Sequence, residues 1–223
     1  MKKLKTNSKA QKRKNTEHLK AFIKKSGVDI VGIADMKKLS NLRLGIPMSI
    51  SYLISKFPYA IVLGAQLGKL GKKAKGDDVA LFLEKVALDL WDYLDQQGYH
   101  ALTIHTDDEF DPVQRLGLMS LKALARMAGL GWQGRSLLIV SPEYGPLHRL
   151  IAVLTDMPLI ADDPLPNHCG DCSLCVDYCP PKSLSLILFD DRPESREQVL
   201  DIVTCRGDEA CMICLKVCPW AKK

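Results

Sequence analysis

Apolar and polar positions alternate with two different periods along residues 16–160. Leu19, Phe22 and Ile23 share one face of a helix that Thr16 is expected to cap and Gly27 to end. Short apolar runs, "VDIVGIA", "YAIVLGA", "HALTIH" and "RLIAVLT", predict buried strands that alternate with such helices. Because alternating strands and helices pack in layers, the pattern predicts an α/β (α+β) domain over residues 16–160.

The longest helical pattern runs from Asp77 or Asp78 to Gln97, and Gly98 provides its stop. Apolar residues recur in it every three or four positions and form one face, made of Phe82, Leu83, Val86, Leu90, Trp91 and Leu94. The pattern predicts an amphipathic helix that packs this face on the core of the domain.

A glycine-rich stretch, "AGLGWQGRS", spaces Gly129, Gly131 and Gly134 as G-x-G-x-x-G. That spacing binds a dinucleotide only where a strand precedes it and a helix follows, since a helix N-terminus supplies the N–H groups that hold phosphates. Here the helical pattern "SLKALARMA" precedes it and the apolar run "SLLIV" follows. The order predicts a helix, a glycine turn and a strand, which disfavours a nucleotide site because carbonyls face outward at a helix C-terminus.

Charge is distributed unevenly along the 223 residues, whose formal net charge is +5. Residues 1–25 hold ten Lys and Arg and one acidic residue, whereas the rest of the chain has more acids than bases. We expect residues 1–15 to form a basic, flexible tail, which is either solvated or in contact with nucleic acid or another polyanion. The tail has no aromatic residue on which bases could stack, so nucleic acid is the weaker candidate.

Neither a secretory leader nor a membrane span is predicted. The N-terminal residues lack the apolar segment of a signal peptide, and no apolar run reaches the roughly 18 residues that a spanning helix needs. These features predict a cytoplasmic protein without a membrane partner.

All eight cysteines lie beyond the proline- and acid-rich segment "MPLIADDPLPNH", in a second predicted domain at residues 165–223. A reducing cytoplasm disfavours disulfides, so metal ligation is the leading interpretation. Cys169, Cys172, Cys175 and Cys179 are spaced as C-x2-C-x2-C-x3-C-P, the bacterial ferredoxin spacing for a [4Fe–4S] cluster. The second group follows as C-x5-C-x2-C-x3-C-P and consists of Cys205, Cys211, Cys214 and Cys218.

In two-cluster ferredoxins the fourth cysteine of each run binds the other cluster. This rule predicts a first cluster held by Cys169, Cys172, Cys175 and Cys218, and a second held by Cys179, Cys205, Cys211 and Cys214. The connecting "SREQVLDIV" is predicted to be a helix. Tetrahedral zinc sites with four cysteines are the alternative, and clusters with a purely structural role remain open as well.

The order of these features resembles the epoxyqueuosine reductases and, more distantly, the reductive dehalogenases. The resemblance rests on "AGLGWQGRSLLIVSPEYG", on "VLTDMPL", and on the dicluster cysteine pattern that ends in "CPW". It implies a redox protein with two [4Fe–4S] clusters that pass electrons to cobalamin bound beside the α/β domain. By the same resemblance, the residues near the corrin would be Gly129, Gly131, Trp132, Gly134 and Arg135. The alternative is that these glycines only form a tight turn.

One departure from the family pattern concerns the acid that would protonate the substrate. Epoxyqueuosine reductases carry Asp-x-x-Pro-Val-x-Glu-Arg directly before the AGLGW helix, where this chain has Arg115, Leu118 and Met119 at matching places. Asp111, in "FDPVQR", is the candidate donor a few residues earlier. Two functions are therefore expected to compete: an oxidoreductase that acts on a small-molecule or corrinoid ligand, and an electron-transfer module that serves a redox partner protein.

Overall fold

The computed structural model describes residues 8–41, 48–71, 76–105 and 119–221. Its strands, in chain order, are β1 (Ile30–Asp35), β2 (Tyr59–Gln66), β3 (Ala101–Ile104), β4 (Trp132–Gln133), β5 (Ile139–Val140) and β6 (His148–Thr155). Its α-helices are α1 (Lys9–Lys25), α2 (Met48–Lys56), α3 (Gly76–Gln96), α4 (Leu121–Met127), α5 (Leu174–Asp177), α6 (Gly207–Ala210) and α7 (Ile213–Lys216). A 3-10 helix, Met36–Asn41, follows β1.

Four strands form a sheet in the order β1-β2-β6-β3, in which every neighbouring pair is antiparallel. The mixed α/β class expected from the sequence is confirmed, and the antiparallel pairing makes the domain α+β. Side chains along β2 point alternately to the two faces, so that Ile61 and Leu63 share one core with residues of α1 and α3 while Ala60 and Val62 share the other with residues of α4. The sheet thus lies between two helical layers, each of which closes its own apolar core.

Helix α1 begins earlier than the sequence pattern suggested. Ser8 is the N-cap, since its side chain accepts a hydrogen bond from the Gln11 amide, whereas Thr16 lies inside the helix and donates to the Lys12 carbonyl. The prediction of an N-cap at Thr16 is wrong. Residues 9–15, which were assigned to the flexible tail, are helical, and Asn15 is buried with its amide donating to the Pro158 carbonyl.

Helix α3 packs on the sheet as predicted, with one exception on its apolar face. Leu83, Leu90 and Leu94 are fully buried, but Trp91 is 40% exposed. The indole of Trp91 lies at the edge of the helix, where it donates a hydrogen bond to the Ala101 carbonyl. An indole can lie at such an edge because it combines a large apolar ring with one polar N–H.

The glycine-rich stretch forms a turn from α4 into the short hairpin β4–β5, as its flanking patterns predicted. Gly129 has φ +69°, and the amides of Gly129 and Leu130 donate to the carbonyls of Arg126 and Ala125. This pair of bonds is a Schellman motif, which satisfies the last carbonyls of the helix. No helix opens on the glycines, so the nucleotide-binding interpretation is rejected.

The cysteine-rich segment, residues 165–221, contains three one-turn helices and little other regular structure. Its "SREQVLDIV" stretch is not helical: Leu200 forms an antiparallel bridge with Leu184, and the Asp201 amide donates to the Ser183 carbonyl. The Asp201 carboxylate accepts from the amide of Val203, which turns the chain there. Aspartate competes in this way with helical hydrogen bonding, and the predicted helix is therefore wrong.

Of the helices that the structure describes, none is long and apolar enough to cross a membrane.

Candidate functional site

A cavity of about 190 Å³ lies between the glycine turn and the cysteine-rich segment. Four of the thiols that line it are those predicted to share the first cluster, and Cys214 of the second set also reaches it. The complete lining consists of Gly134, Arg135, Ser136, Val140, His168, Cys169, Cys172, Leu174, Cys175, Cys214, Cys218, Pro219 and Trp220. The fold thus brings Cys218 to three cysteines that lie more than forty positions earlier in the chain.

Three of these thiols lie on short helices or directly after them. Cys175 lies within α5 and Cys214 within the matching helix α7, and the two helices contact each other. Cys218 follows α7, where Pro219 ends the helical path. Because α5 and α7 pack together, each helix delivers its cysteine to a common region.

The thiols of the first set lie close enough to perturb one another. Burial and, to a smaller extent, negative charge on Cys169, Cys214, Cys172 and Cys218 together raise the pKa of the Cys175 thiol to about 12. Burial also raises the pKa of Cys218, and the charges on Cys169 and Cys172 contribute. In the chain without metal, several thiolates in this cavity would therefore repel each other.

The second set is identified by the neighbours of Cys214. Burial and, to a smaller extent, the charges of Cys211, Cys205 and Cys179 together raise the pKa of the Cys214 thiol to about 11. These three are the cysteines that the crossed ferredoxin pattern assigns to the second cluster together with Cys214. Thiols with raised pKa values release protons when they bind a metal, so a bound cation would offset the repulsion within each set.

None of the eight cysteines is in a disulfide. Across the described ranges, no group of three or more His, Cys, Asp or Glu side chains is arranged around a single metal ion. In a [4Fe–4S] cluster each thiolate binds a different iron, so its ligands surround a larger centre than one ion. The residues around the cavity offer four sulfur donors, a chemistry that suits an iron–sulfur cluster.

Arg135 follows the glycine turn, is one of the residues that line this cavity, and is only 5% exposed. Its Nη1 donates to the Phe189 carbonyl and its Nη2 to the Gly170 carbonyl, each at 2.7 Å. The guanidinium also lies 4.8 Å from the centre of the Phe189 ring. Among the described residues, Nε of Arg135 has no hydrogen-bond partner and no carboxylate forms an ion pair with the side chain.

Three aromatic side chains pack at one end of the cavity. Trp132 is 1% exposed and meets His168 and Trp220 edge-on, with ring centres 4.9 and 4.8 Å away. His168 and Trp220 line the cavity directly. Sequence analysis missed both as site residues, although each lies beside the cysteine pattern: His168 directly before Cys169, and Trp220 just after Cys218 and Pro219.

Two glycines of the turn are required by the chain itself. A Cβ atom on Gly131 would lie 2.2 Å from the Val140 carbonyl oxygen, and one on Gly129 would lie 2.6 Å from the carbonyl oxygen of Asp163. At Gly134 an added Cβ would lie 2.8 Å from Cγ2 of Val140 and 3.7 Å from Sγ of Cys169. The smallness of these residues thus permits the close packing of the hairpin and of the cysteine-rich segment.

The corrin contacts expected of Gly129, Gly131, Trp132, Gly134 and Arg135 remain a prediction. In the described ranges these residues face the protein interior or the cysteine cavity. Asp111, the candidate proton donor, lies outside the described residues.

Comparison with known proteins supports the resemblance inferred from the motifs. An epoxyqueuosine reductase of Synechocystis sp. is 31% identical over 170 residues, which cover 70% of this chain and 56% of that protein. The chain spans little more than half the length of this relative and less of the Bacillus cereus and Staphylococcus aureus epoxyqueuosine reductases. No family model matches the chain.

Solved structures show the same fold. A crystal structure of epoxyqueuosine reductase with an epoxyqueuosine-modified tRNA-Tyr stem loop has a TM-score of 0.64 at 21% identity, covering 92% of this chain and 64% of that one. A reductive dehalogenase, whose structure suggests a mechanism for B12-dependent dehalogenation, has a TM-score of 0.68 at 18% identity. That match covers 99% of this chain and 33% of the dehalogenase. The predicted similarity to epoxyqueuosine reductases is confirmed, and the reductive dehalogenase shares the fold.

Proposed function

We propose that this epoxyqueuosine reductase-like chain is a redox protein that carries two [4Fe–4S] clusters and passes electrons to a substrate, a bound cofactor or a partner protein. The observation that carries the proposal is the grouping of the thiols. Cys218 joins Cys169, Cys172 and Cys175 around one cavity, while Cys214, which also reaches that cavity, feels the charges of Cys179, Cys205 and Cys211. This grouping follows the crossed ligand pattern of two-cluster ferredoxins.

Such clusters would supply one-electron chemistry, and the surrounding residues would tune it. Buried Trp132 and half-buried Trp220 pack edge-to-face at one end of the cavity, and the exposed His168 packs against Trp132. Gly134 lets the hairpin approach Cys169 closely. Burial of this kind shields a cluster from solvent, which is one of the factors that set its potential.

Two forms of this redox function remain in competition. Similarity to a B12-dependent dehalogenase favours an oxidoreductase that uses cobalamin. Trp132 is buried, and Gly131 packs directly against the Val140 carbonyl, so both residues are used in packing within the protein. This favours a glycine turn that supports the cysteine cavity, and hence an electron-transfer module for a partner protein.

Nucleic acid is a stronger candidate partner than the sequence suggested. A relative of the same fold has been solved with a tRNA stem loop, which weighs against our expectation that nucleic acid is the weaker candidate. In this chain Lys9, Arg13 and Lys14 are exposed near the start of α1. We therefore include an RNA stem loop among the candidate partners, to be held through phosphate contacts.

The proposed function is tested by anaerobic purification followed by reconstitution with iron and sulfide. We expect about eight irons per chain, as two cubanes require, together with EPR signals of two reduced clusters. A colourless protein that retains zinc under these conditions would disprove the cluster proposal.

The two forms are then separated on the reconstituted protein by titration with cobalamin, followed by absorbance and EPR. Saturable binding with reduction of cobalt supports the oxidoreductase. Reducible clusters without cobalamin uptake support the electron-transfer module.

A further inference from the structure

Arg135 brings an uncompensated positive charge to the cavity of the first cysteine set. The side chain is 5% exposed and lines the cavity together with Cys169, Cys172, Cys175 and Cys218. Arg126, by contrast, reaches the same cysteine-rich segment but pairs with the carboxylate of Asp191. Burying a charge without a counter-ion is costly, so a buried guanidinium without a carboxylate calls for an anionic partner.

The two carbonyls that Arg135 meets satisfy only part of its donors. A guanidinium has five N–H groups, and Nη1 and Nη2 each use one of theirs on a backbone oxygen. Its Nε is buried and without a partner among the described residues. The two carbonyl dipoles hold the guanidinium of Arg135 in place but do not neutralise its positive charge.

We propose that Arg135 is the charge partner of the first cluster and raises its reduction potential relative to that of the second. The inference rests on the proposed function. A cubane with four thiolate ligands is an anion, and its reduction adds one further negative charge. A fixed positive charge beside it stabilises the reduced form more than the oxidised form, because Coulomb attraction grows with the charge. Arg135 acts here as a positioning residue, since the sulfur ligands bind the irons.

A purely structural role is the competing explanation. Through its bonds to Gly170 and Phe189, Arg135 also ties the glycine turn to the cysteine-rich segment. Loss of these hydrogen bonds would lower the stability of the protein without selectively changing the reduction potential of one cluster. The two explanations therefore differ in what happens to one cluster when the charge is removed and when it is kept.

The experiment measures both midpoint potentials of the reconstituted full chain by EPR-monitored redox titration. For Arg135→Gln we expect the reduced-to-oxidised ratio of the first cluster to fall about tenfold at a fixed solution potential. This corresponds to a fall of about 59 mV in its midpoint potential, for a one-electron couple. The other cluster should change by less than about threefold, or about 28 mV on the same scale. Arg126→Gln is the matched control, since it removes a paired arginine at the same interface and should leave both potentials unchanged.

Arg135→Lys keeps the charge but cannot fork between two carbonyls. We expect its potentials to stay within about threefold of the wild-type ratio, while its stability falls. If Arg135→Gln fails to fold, Arg135→Lys still tests the inference, because a tenfold shift of either potential in a variant that keeps the charge would overturn it. Unchanged potentials in Arg135→Gln, or equal shifts of both clusters, would do so as well.

Failure of the proposed function looks different, because a wild-type chain that binds no iron–sulfur cluster has no potentials to compare. Assignment of the shifted signal comes from the Cys172→Ala background, which lacks the first cluster. If Arg135→Gln still shifts the remaining signal there, the charge acts on the second cluster and the inference is wrong.

Discussion

Gly134 lies against Cys169, so that a Cβ atom on the glycine would be 3.7 Å from the cysteine sulfur. The two residues belong to different predicted domains, one to the turn after α4 and the other to the cysteine-rich segment. Their contact makes the glycine turn part of the wall of the thiol cavity. The turn is therefore tied to the sulfur site by geometry, independently of any corrin.

Gly134→Ala is expected to damage both the hairpin and the first cluster. The new methyl group would lie 2.8 Å from Cγ2 of buried Val140, whose branched side chain has little freedom to move. Overpacking of this kind costs about 1–3 kcal/mol of unfolding free energy. Urea denaturation and iron analysis of the same preparation measure the two effects.

Gly68→Ala is the control for this change, because nothing lies within 4 Å of a Cβ atom there. Its stability and iron content should match the wild type. Equal stability and iron content in Gly134→Ala and Gly68→Ala would show that the hairpin can relax around the methyl group.

Cys172→Ala and Cys205→Ala should each remove a different cluster. Cys172 lines the cavity of the first set, whereas Cys205 adds its charge to the field at Cys214. We expect each variant to keep about half of the wild-type iron, since each cubane has its own four cysteines. The remaining EPR signals should differ between the variants.

Each cysteine variant should also unfold more easily than the reconstituted wild type, because cluster binding contributes to folding. Loss of all iron in both variants would contradict two separable clusters. The same EPR signal in both would contradict the crossed assignment.

The parts of the site that could be predicted from sequence are those set by local spacing. The helix, glycine turn and strand order around Gly129 follows from patterns only a few residues long, and each C-x2-C spacing places its thiols within one helical turn. The N-cap could not be located in the same way, since Ser8 and Thr16 are both residue types that favour an N-cap. Only packing of Asn15 against Pro158 distinguishes between them.

Long-range relations escaped prediction for a different reason. The antiparallel neighbours β2 and β6 lie about eighty residues apart, and their register, with Tyr59 opposite Thr155, depends on the whole sheet. Arg135 was expected near a cofactor because of its motif, but its bond to Gly170 depends on how the two domains dock. Such contacts follow from tertiary packing and leave no periodic signal in the chain.

Trp132 and Trp220 are expected to stabilise the protein jointly. Their ring centres lie 4.8 Å apart at an interplanar angle of 79°, the edge-to-face arrangement that aromatic rings favour. In a double-mutant cycle with alanine, we expect a coupling free energy of about 0.5–1.5 kcal/mol. Urea denaturation of the two single variants and the double variant provides it.

Trp91 supplies the control for this cycle. It is 40% exposed on α3, and no ring contact with Trp132 is found in the described part of the chain. Combining Trp91→Ala with Trp132→Ala should give additive effects. A coupling near zero for the Trp132 and Trp220 pair would mean that the rings only fill space.

Binding of an RNA stem loop, if it uses α1, should depend on the exposed basic side chains at the start of this helix. Reversal of charge in the double variant Arg13→Glu, Lys14→Glu should weaken binding and flatten its salt dependence. The slope of log K against log salt decreases by about 0.7–0.9 for each phosphate contact that is lost. Fluorescence anisotropy with a labelled stem loop at several salt concentrations measures both quantities.

The double variant Lys24→Glu, Lys25→Glu makes the same charge change at the other end of α1, where both lysines are also exposed. Equal losses in the two double variants would indicate a general charge effect. No loss in either would exclude α1 from the binding surface.

His148 is expected to make the protein less stable in mild acid. Burial lowers the pKa of its imidazole to about 4, and Nδ1 has no hydrogen-bond partner among the described residues. In the unfolded chain a histidine titrates near pH 6.5. Between these two values the unfolded state takes up a proton that the folded state refuses, so the free energy of unfolding falls as pH falls from about 6.5 towards 4.

His148→Gln removes this titration, and the pH dependence of its stability should be flatter than that of the wild type over the same interval. Urea denaturation at pH 7, 6 and 5, on the chain without clusters, measures the difference. Parallel curves for the wild type and His148→Gln would mean that water reaches the imidazole in the folded protein, because a solvated ring keeps the ordinary pKa of histidine.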